Sequence, residues 1–158
     1  NGIDGVTSSA MGAALAHQRR KHDSFALTLM GDLTFLHDLN GLLIEAQSAV
    51  PDMALVVVDS NGGRIFADLE QGAPEYSSVF DRVYGTPHNR DLVAIAGALG
   101  APAQRVQAEH GLTRALDTAR ERGGISVIIV DDRVMLIQAA TNLILDMLTV
   151  AAVDATED

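Results

Sequence analysis

The sequence predicts an α/β fold, a doubly wound and mostly parallel sheet with helices on both faces, on three observations. Apolar runs of strand length, such as Phe25-Ala26-Leu27-Thr28-Leu29-Met30 and Met53-Ala54-Leu55-Val56-Val57-Val58, run out into polar or glycine-containing loops. Helical stretches separate these runs, an alternation that implies parallel strands with crossover helices rather than a barrel or sandwich. The chain has 158 residues, 47% hydrophobic and 20% charged, which suits one compact domain with a real core.

Residues 7–20 read as a helix rich in small residues (Ala10, Gly12, Ala13, Ala14, Ala16), able to approach a sheet or another helix closely. The 25–30 strand follows. Residues 37–49 are the next helical candidate, with Leu39, Leu42, Leu43 and Ala46 on one face, and Pro51-Asp52 separates them from the 53–58 strand. Residues 64–71 read as a short helix just past a glycine pair, and Gly72-Ala73-Pro74 and Gly85-Thr86-Pro87-His88 bracket a loop-rich stretch. Residues 91–99 read as a helix with Asp91 as N-cap. A weak strand at 105–107, a helix at 111–122 and a strong strand at 125–130, ending at Asp131-Asp132, complete the alternation.

Residues 134–153 are strongly apolar and approach the ~20 residues a membrane span needs. They carry Gln138, Asn142 and Asp146, which are expensive in lipid, so the segment reads as a soluble helix whose apolar breadth suggests a partner surface. Residues 154–158 form an acidic tail expected to fray. No internal repeat is visible.

The formal net charge of −10 argues against nucleic acid or an anionic membrane as partner, and Arg19-Arg20-Lys21 is the densest basic cluster. The chain has no cysteine, which removes disulfides and thiolate metal sites and fits a cytoplasmic protein. Residues 1–5 lack the charged and apolar regions of a signal peptide, and the start without methionine reads as a fragment of a longer protein.

Two strand tips carry the chemistry. Gly31-Asp32-Leu33 follows the first strand and Asp59-Ser60-Asn61-Gly62-Gly63 the second, so in a parallel sheet both lie at the carboxyl edge, where such folds bind ligands. Magnesium takes about six oxygens, one or two from carboxylates and the rest from phosphates and water. Asp32 offers the carboxylate, Ser60 or Asn61 a neutral oxygen, and the paired glycines a sharp turn with an accessible carbonyl. A helix opening after Gly63 would aim N–H groups at an anionic phosphate. Both turns also occur as ordinary loops, and patterning alone leaves a metal–diphosphate site and a structural turn equally open.

Gly31-Asp32, then 28 positions on Ser60-Asn61-Gly62-Gly63, resembles the thiamin diphosphate motif. Gly2-Ile3-Asp4-Gly5, Gly31-Asp32-Leu33-Thr34-Phe35, His37-Asp38-Leu39-Asn40, Asn61-Gly62-Gly63 with Ile65-Phe66, and Gly85-Thr86-Pro87-His88 look like the C-terminal domain of one family. That family is 2-succinyl-5-enolpyruvyl-6-hydroxy-3-cyclohexene-1-carboxylate synthase of menaquinone biosynthesis. The matches run in order from residue 2 to about residue 99, and Leu33, where most thiamin diphosphate enzymes have glycine, favours this family over its relatives.

The resemblance implies that residues 1–153 are the thiamin diphosphate domain of a three-domain enzyme, with thiamin diphosphate and Mg2+ (or Mn2+) as cofactors. It implies a transferase, a carboligase that decarboxylates 2-oxoglutarate and adds the product to isochorismate. Asp32, Ser60 and the Gly62 carbonyl would bind the metal. Ile3 would prop the bent cofactor, and Gly31, Leu33, Asn61, Gly62, Gly63, Ile65, Phe66 and Leu69 would complete the cofactor pocket. The family usually has Asn or Asp at the position of Ser60 and Asn at that of Asp59, so Asp59, a water or a shifted turn would compensate for the short hydroxyl. In relatives the activating glutamate comes from the pyrimidine-binding domain of a neighbouring subunit, so the full-length protein is expected to be a dimer or tetramer. The fragment alone is expected to be inactive and to hold no catalytic residue.

Single residues carry weaker signals. His88 reads as a surface or capping histidine before a substrate contact, His37 as a structural hydrogen-bonder, and Asp4 as a turn organiser. His17, His22 and His110 show no ligand spacing. Another thiamin diphosphate decarboxylase or carboligase is the alternative within the class. The non-enzyme alternative, a receiver-like signalling domain with Asp131-Asp132 as acidic pair and Asp59 as phosphoacceptor, lacks a late-strand lysine, since Lys21 is the only lysine. A nicotinamide-binding domain lacks G-x-G-x-x-G after a first strand.

Overall fold

The computed structural model describes residues 2–107 and 109–131. Helix α1 (Val6–Gln18) leads into strand β1 (Ala26–Gly31), short helix α2 (Asp32–His37) and strand β2 (Met53–Asp59). A chain of short turns containing α3 (Ser77–Phe80) connects to α4 (Leu92–Ala98), followed by β3 (Ala103–Val106), α5 (Glu109–Arg122) and β4 (Ile125–Asp131). All three strand pairings are parallel, in the order β1-β2-β4-β3.

That order explains the two faces. The crossovers β1 to β2 and β2 to β3 advance across the sheet in one direction, whereas β3 to β4 turns back. Right-handed crossovers of opposite direction must lie on opposite faces. Accordingly Phe35 and Leu42 from the first crossover and Leu92 and Ala96 from the second join one apolar cluster, together with Ala14 of α1. Among the described residues helix α5 covers the other face, through Leu112, Ala115, Leu116 and Ala119, one stripe at helical spacing.

The central strands feed both clusters by simple alternation. Met53, Leu55 and Val57 face the first cluster, and Ala54 and Val56 the second; Ile125, Val127 and Ile129 are set against Ile128 and Val130 in the same way. β2 and β4 are thus buried on both sides, which is why they read as unbroken apolar runs. Truncating Leu55, fully buried in the first cluster, would cost about 2–5 kcal/mol.

Two expected helices are replaced. The 37–49 stretch forms only the end of α2 and a 3-10 turn, Leu39–Leu42, before becoming irregular. Asn40-Gly41 is a poor helix interior, and Gly41 is the residue α1 packs upon: a side chain there would meet Ser8 Oγ at 2.9 Å and Thr7 Cγ2 at 3.0 Å. The turn also caps α1, since Asp38 Oδ2 accepts from the Ser8 N–H at 2.8 Å. The 64–71 stretch is likewise two 3-10 turns, Arg64–Asp68 and Glu70–Gly72, folded so tightly that a side chain at Gly72 would collide with the Ala67 carbonyl. The Asp91 cap is present as expected, its Oδ1 accepting from Val93 and Ala94 N–H groups at 3.0 and 3.1 Å. The apolar 134–153 segment and the acidic tail lie outside the described residues. Among the described residues no helix is long and apolar enough to cross a membrane.

Candidate functional site

Because every strand is parallel, the ends of β1, β2, β3 and β4 emerge at one edge, and a cleft of about 1250 Å³ opens there, lined by Gly31, Asp59, Ser60, His88 and Arg105 among others. Asp32 sits beneath it, with 2% of its surface exposed. A carboxylate so buried must be hydrogen-bonded. Asp32 Oδ1 accepts the Leu33 N–H at 2.6 Å, and Oδ2 accepts the Gly62 N–H at 2.8 Å and lies 3.2 Å from His88 Nε2.

The β2 tip is shaped to meet that carboxylate. Asn61 takes φ 60° and Gly62 φ 124°, a conformation that only glycine adopts readily. Side chains on Gly62 or Gly63 would run into the carbonyl oxygens of Gly85 and Tyr84, so the turn lies directly on the downstream backbone. The Gly63 N–H donates to Gly85 O at 2.8 Å and the Arg64 N–H to Gly62 O at 2.9 Å. The N–H groups expected to face a phosphate from the start of a helix here are therefore engaged internally.

Three oxygens converge across the two tips. The Ser60 hydroxyl donates to the Gly62 carbonyl at 2.8 Å and lies 3.5 Å from Asp32 Oδ2. Adjacent ligands of an octahedral magnesium, each at about 2.1 Å, stand about 3 Å apart. The donor set of carboxylate, hydroxyl and carbonyl suits a hard cation, and the distances from Ser60 Oγ to the other two oxygens, 2.8 and 3.5 Å, lie near that value.

Around this triad lies a second set of polar groups. Asp59 Oδ2 pairs with Arg105 of β3 at 2.9 Å, and Asp59 Oδ1 stands 3.6 Å from His88 Nε2. Asp32, Asp59 and His88 each offer an atom within 4.8 Å of the other two. Asn61 and Asn89 both line the cleft and pair with each other there, Asn61 Nδ2 donating to Asn89 Oδ1 at 3.0 Å.

Of the residues singled out in the sequence, Gly31, Asp32, Ser60, Gly62 and Gly63 come together. Leu33 follows them on α2, and Phe66 packs on Tyr84 with ring centres 5.9 Å apart. Ile3, Ile65 and Leu69 stand exposed, Ile65 by 74%. His37 Nδ1 lies 3.3 Å from Asp4 Oδ1, an ion-pair contact between exposed side chains. His88 is neither a surface group nor a helix cap: its side chain is 9% exposed, against Asp32. Arg105 and Asn89 were not legible as site residues. Gly-Thr-Pro-His was the available signal for His88, and a lone arginine in a weak strand gave none for Arg105.

The fold and this edge define a class, an α/β domain that takes its ligand at the carboxyl ends of parallel strands. Residues 5–130 match the family model "Thiamine pyrophosphate enzyme, C-terminal TPP binding domain", and the chain belongs to that family. Thiamin diphosphate is thus the cofactor of the domain. The chain is 50% identical over 127 residues to the 2-succinyl-5-enolpyruvyl-6-hydroxy-3-cyclohexene-1-carboxylate synthase of Nocardioides sp., covering 80% of this chain and 23% of that protein. It is 44% identical over 135 residues to the synthase of the same name from Rhodococcus erythropolis, covering 78% and 24%. The crystal structure of benzoylformate decarboxylase from Polynucleobacter necessarius superposes with a TM-score of 0.63 at 28% identity, over 78% of this chain and 22% of that one. The chain spans about a quarter of the length of the curated relatives it matches.

Proposed function

We propose that this domain provides the diphosphate and metal half of a thiamin diphosphate-dependent carboligase, a transferase that decarboxylates 2-oxoglutarate and joins the product to isochorismate in menaquinone biosynthesis. The observation that carries the reading is the convergence of Asp32 Oδ2, Ser60 Oγ and Gly62 O on neighbouring strand tips. These three would hold Mg2+ or Mn2+, with Asp32 supplying the charge and the two neutral oxygens the remaining protein contacts. Since the Gly62, Gly63 and Arg64 N–H groups are engaged within the protein, the diphosphate is held chiefly through the metal. When bound, thiamin diphosphate supplies the electron sink for decarboxylation and carbon–carbon bond formation.

The rest of the domain orients and shields. Gly31, Leu33, Asn61 and Gly63 shape the floor of the cofactor pocket, and Ile3, Ile65, Phe66 and Leu69 present apolar surface to the cofactor and substrate. The exposure of Ile65 and Leu69 suits side chains that are covered when the pyrimidine-binding domain of a neighbouring subunit closes over the cleft. That domain brings the activating glutamate, so the isolated domain binds cofactor weakly and turns nothing over. Identities of 44% and 50% to the synthases, against 28% to benzoylformate decarboxylase, favour the synthase over another decarboxylase or carboligase.

Titration calorimetry of the full-length protein tests this reading. Thiamin diphosphate binding is expected to require magnesium and to vanish in Asp32→Ala; metal-independent binding, or an Asp32→Ala protein that binds as the parent does, would overturn it.

A further inference from the structure

His88 completes a cluster with Asp32 and Asp59 that has the composition of a three-ligand metal site. Its hydrogen bonds point elsewhere. The backbone N–H of Arg90 donates to His88 Nδ1 at 3.0 Å, and a backbone N–H can only donate, so Nδ1 presents its lone pair. The ring proton is then on Nε2, the atom that faces Asp32 Oδ2 at 3.2 Å and Asp59 Oδ1 at 3.6 Å. A metal-bound imidazole has the reverse arrangement: the ligating nitrogen offers its lone pair while the other nitrogen donates to a carbonyl or carboxylate.

We propose that His88 is a positioning residue for the metal carboxylate, donating from Nε2 between Asp32 and Asp59 without ligating the metal. The inference rests on the reading of Asp32 as metal ligand. Two carboxylates side by side repel each other, and a shared N–H between them offsets that repulsion and fixes how the Asp32 oxygens are turned. On its far side Asp59 is neutralised by Arg105 at 2.9 Å. Arg105, Asp59, His88 and Asp32 thus form a continuous line of polar contacts from β3 to the start of α2. Removing the outer-shell partner of a metal ligand typically weakens metal binding by about 10–100-fold.

The test uses Mn2+ as a paramagnetic probe, bound to the full-length protein with thiamin diphosphate. His88→Ala is expected to lower Mn2+ affinity about tenfold or more, whereas His88→Gln, which keeps an N–H at similar reach, stays within about threefold of the parent. Electron spin-echo spectra of the parent should show no imidazole nitrogen directly coordinated to Mn2+. A coordinated nitrogen that disappears in His88→Ala would overturn the proposal by making His88 a ligand. Unchanged affinity in His88→Ala, or equal losses in both variants, would overturn it by removing the role of the N–H. If His88→Ala does not fold, the parent spectrum decides: no coordinated nitrogen supports the proposal, and a coordinated one refutes it. A parent protein that binds no Mn2+ would instead defeat the underlying metal-site reading, and the His88 role with it.

Discussion

Asn61 and Asn89 bind each other reciprocally: Asn61 Nδ2 donates to Asn89 Oδ1 at 3.0 Å, and the Asn89 backbone N–H donates to Asn61 Oδ1 at 2.8 Å. Both are in the left-handed region, at φ 60° and 48°, where asparagine is among the few side chains tolerated. The pair ties the β2 tip to the loop carrying His88, so the two halves of the polar cluster share one lock.

The lock has a measurable worth. Asn89→Ala loses the bond from Asn61 Nδ2, keeps the one its own backbone N–H donates, and meets a strained backbone, so it is expected to lower unfolding free energy by about 1–3 kcal/mol. Asn89→Gly loses the amide but relieves the backbone, so it should cost less than Asn89→Ala. Urea unfolding of the two variants checks the order; an equal loss would show that the backbone conformation contributes nothing.

Gly62→Ala should separate the metal turn from its support. The added methyl would collide with the Gly85 carbonyl, and φ 124° is closed to alanine. A loss of at least about 2 kcal/mol in stability is expected, together with loss of magnesium-dependent thiamin diphosphate binding by calorimetry.

Ser60 offers a graded test of the triad. Ser60→Ala removes the oxygen between Asp32 and Gly62 and should weaken magnesium binding in the presence of thiamin diphosphate by about tenfold, roughly 1.4 kcal/mol. Ser60→Asn supplies a longer amide oxygen and should bind magnesium at least as tightly as the parent. Magnesium titrations of cofactor binding distinguish the two.

Thr7 makes a prediction away from the site. It is fully buried, and among the described residues its hydroxyl has no hydrogen-bond partner. Thr7→Val keeps the branched shape and removes the unsatisfied polar atom, so it should raise stability by about 1 kcal/mol. A lower thermal midpoint in Thr7→Val would show that the hydroxyl is satisfied after all.

The sheet was legible because burial on both faces makes β2 and β4 continuous apolar runs, and the site because Asp32 directly follows β1 and Ser60 to Gly63 directly follow β2. The 37–49 helix was misread because Leu39, Leu42, Leu43 and Ala46 have helical spacing, while the reason for Gly41 lies in α1, more than thirty residues earlier. His88 was undervalued for a similar reason. It lies 56 residues from Asp32, and what brings it there is the contact of two turns, which local pattern does not encode. Arg105 gains meaning only from Asp59, 46 residues away across the sheet edge.

The hydrogen bond from Gly63 to Gly85 closes the neck of a long excursion made of short turns. Lengthening a flexible loop with a closed neck costs little, since closure entropy grows only with the logarithm of its length. The β2 turn and the surface presented by residues 65–83 are therefore separable modules. The second can be rewritten in sequence and length while the first stays seated on the same three carbonyls of Tyr84, Gly85 and Thr86.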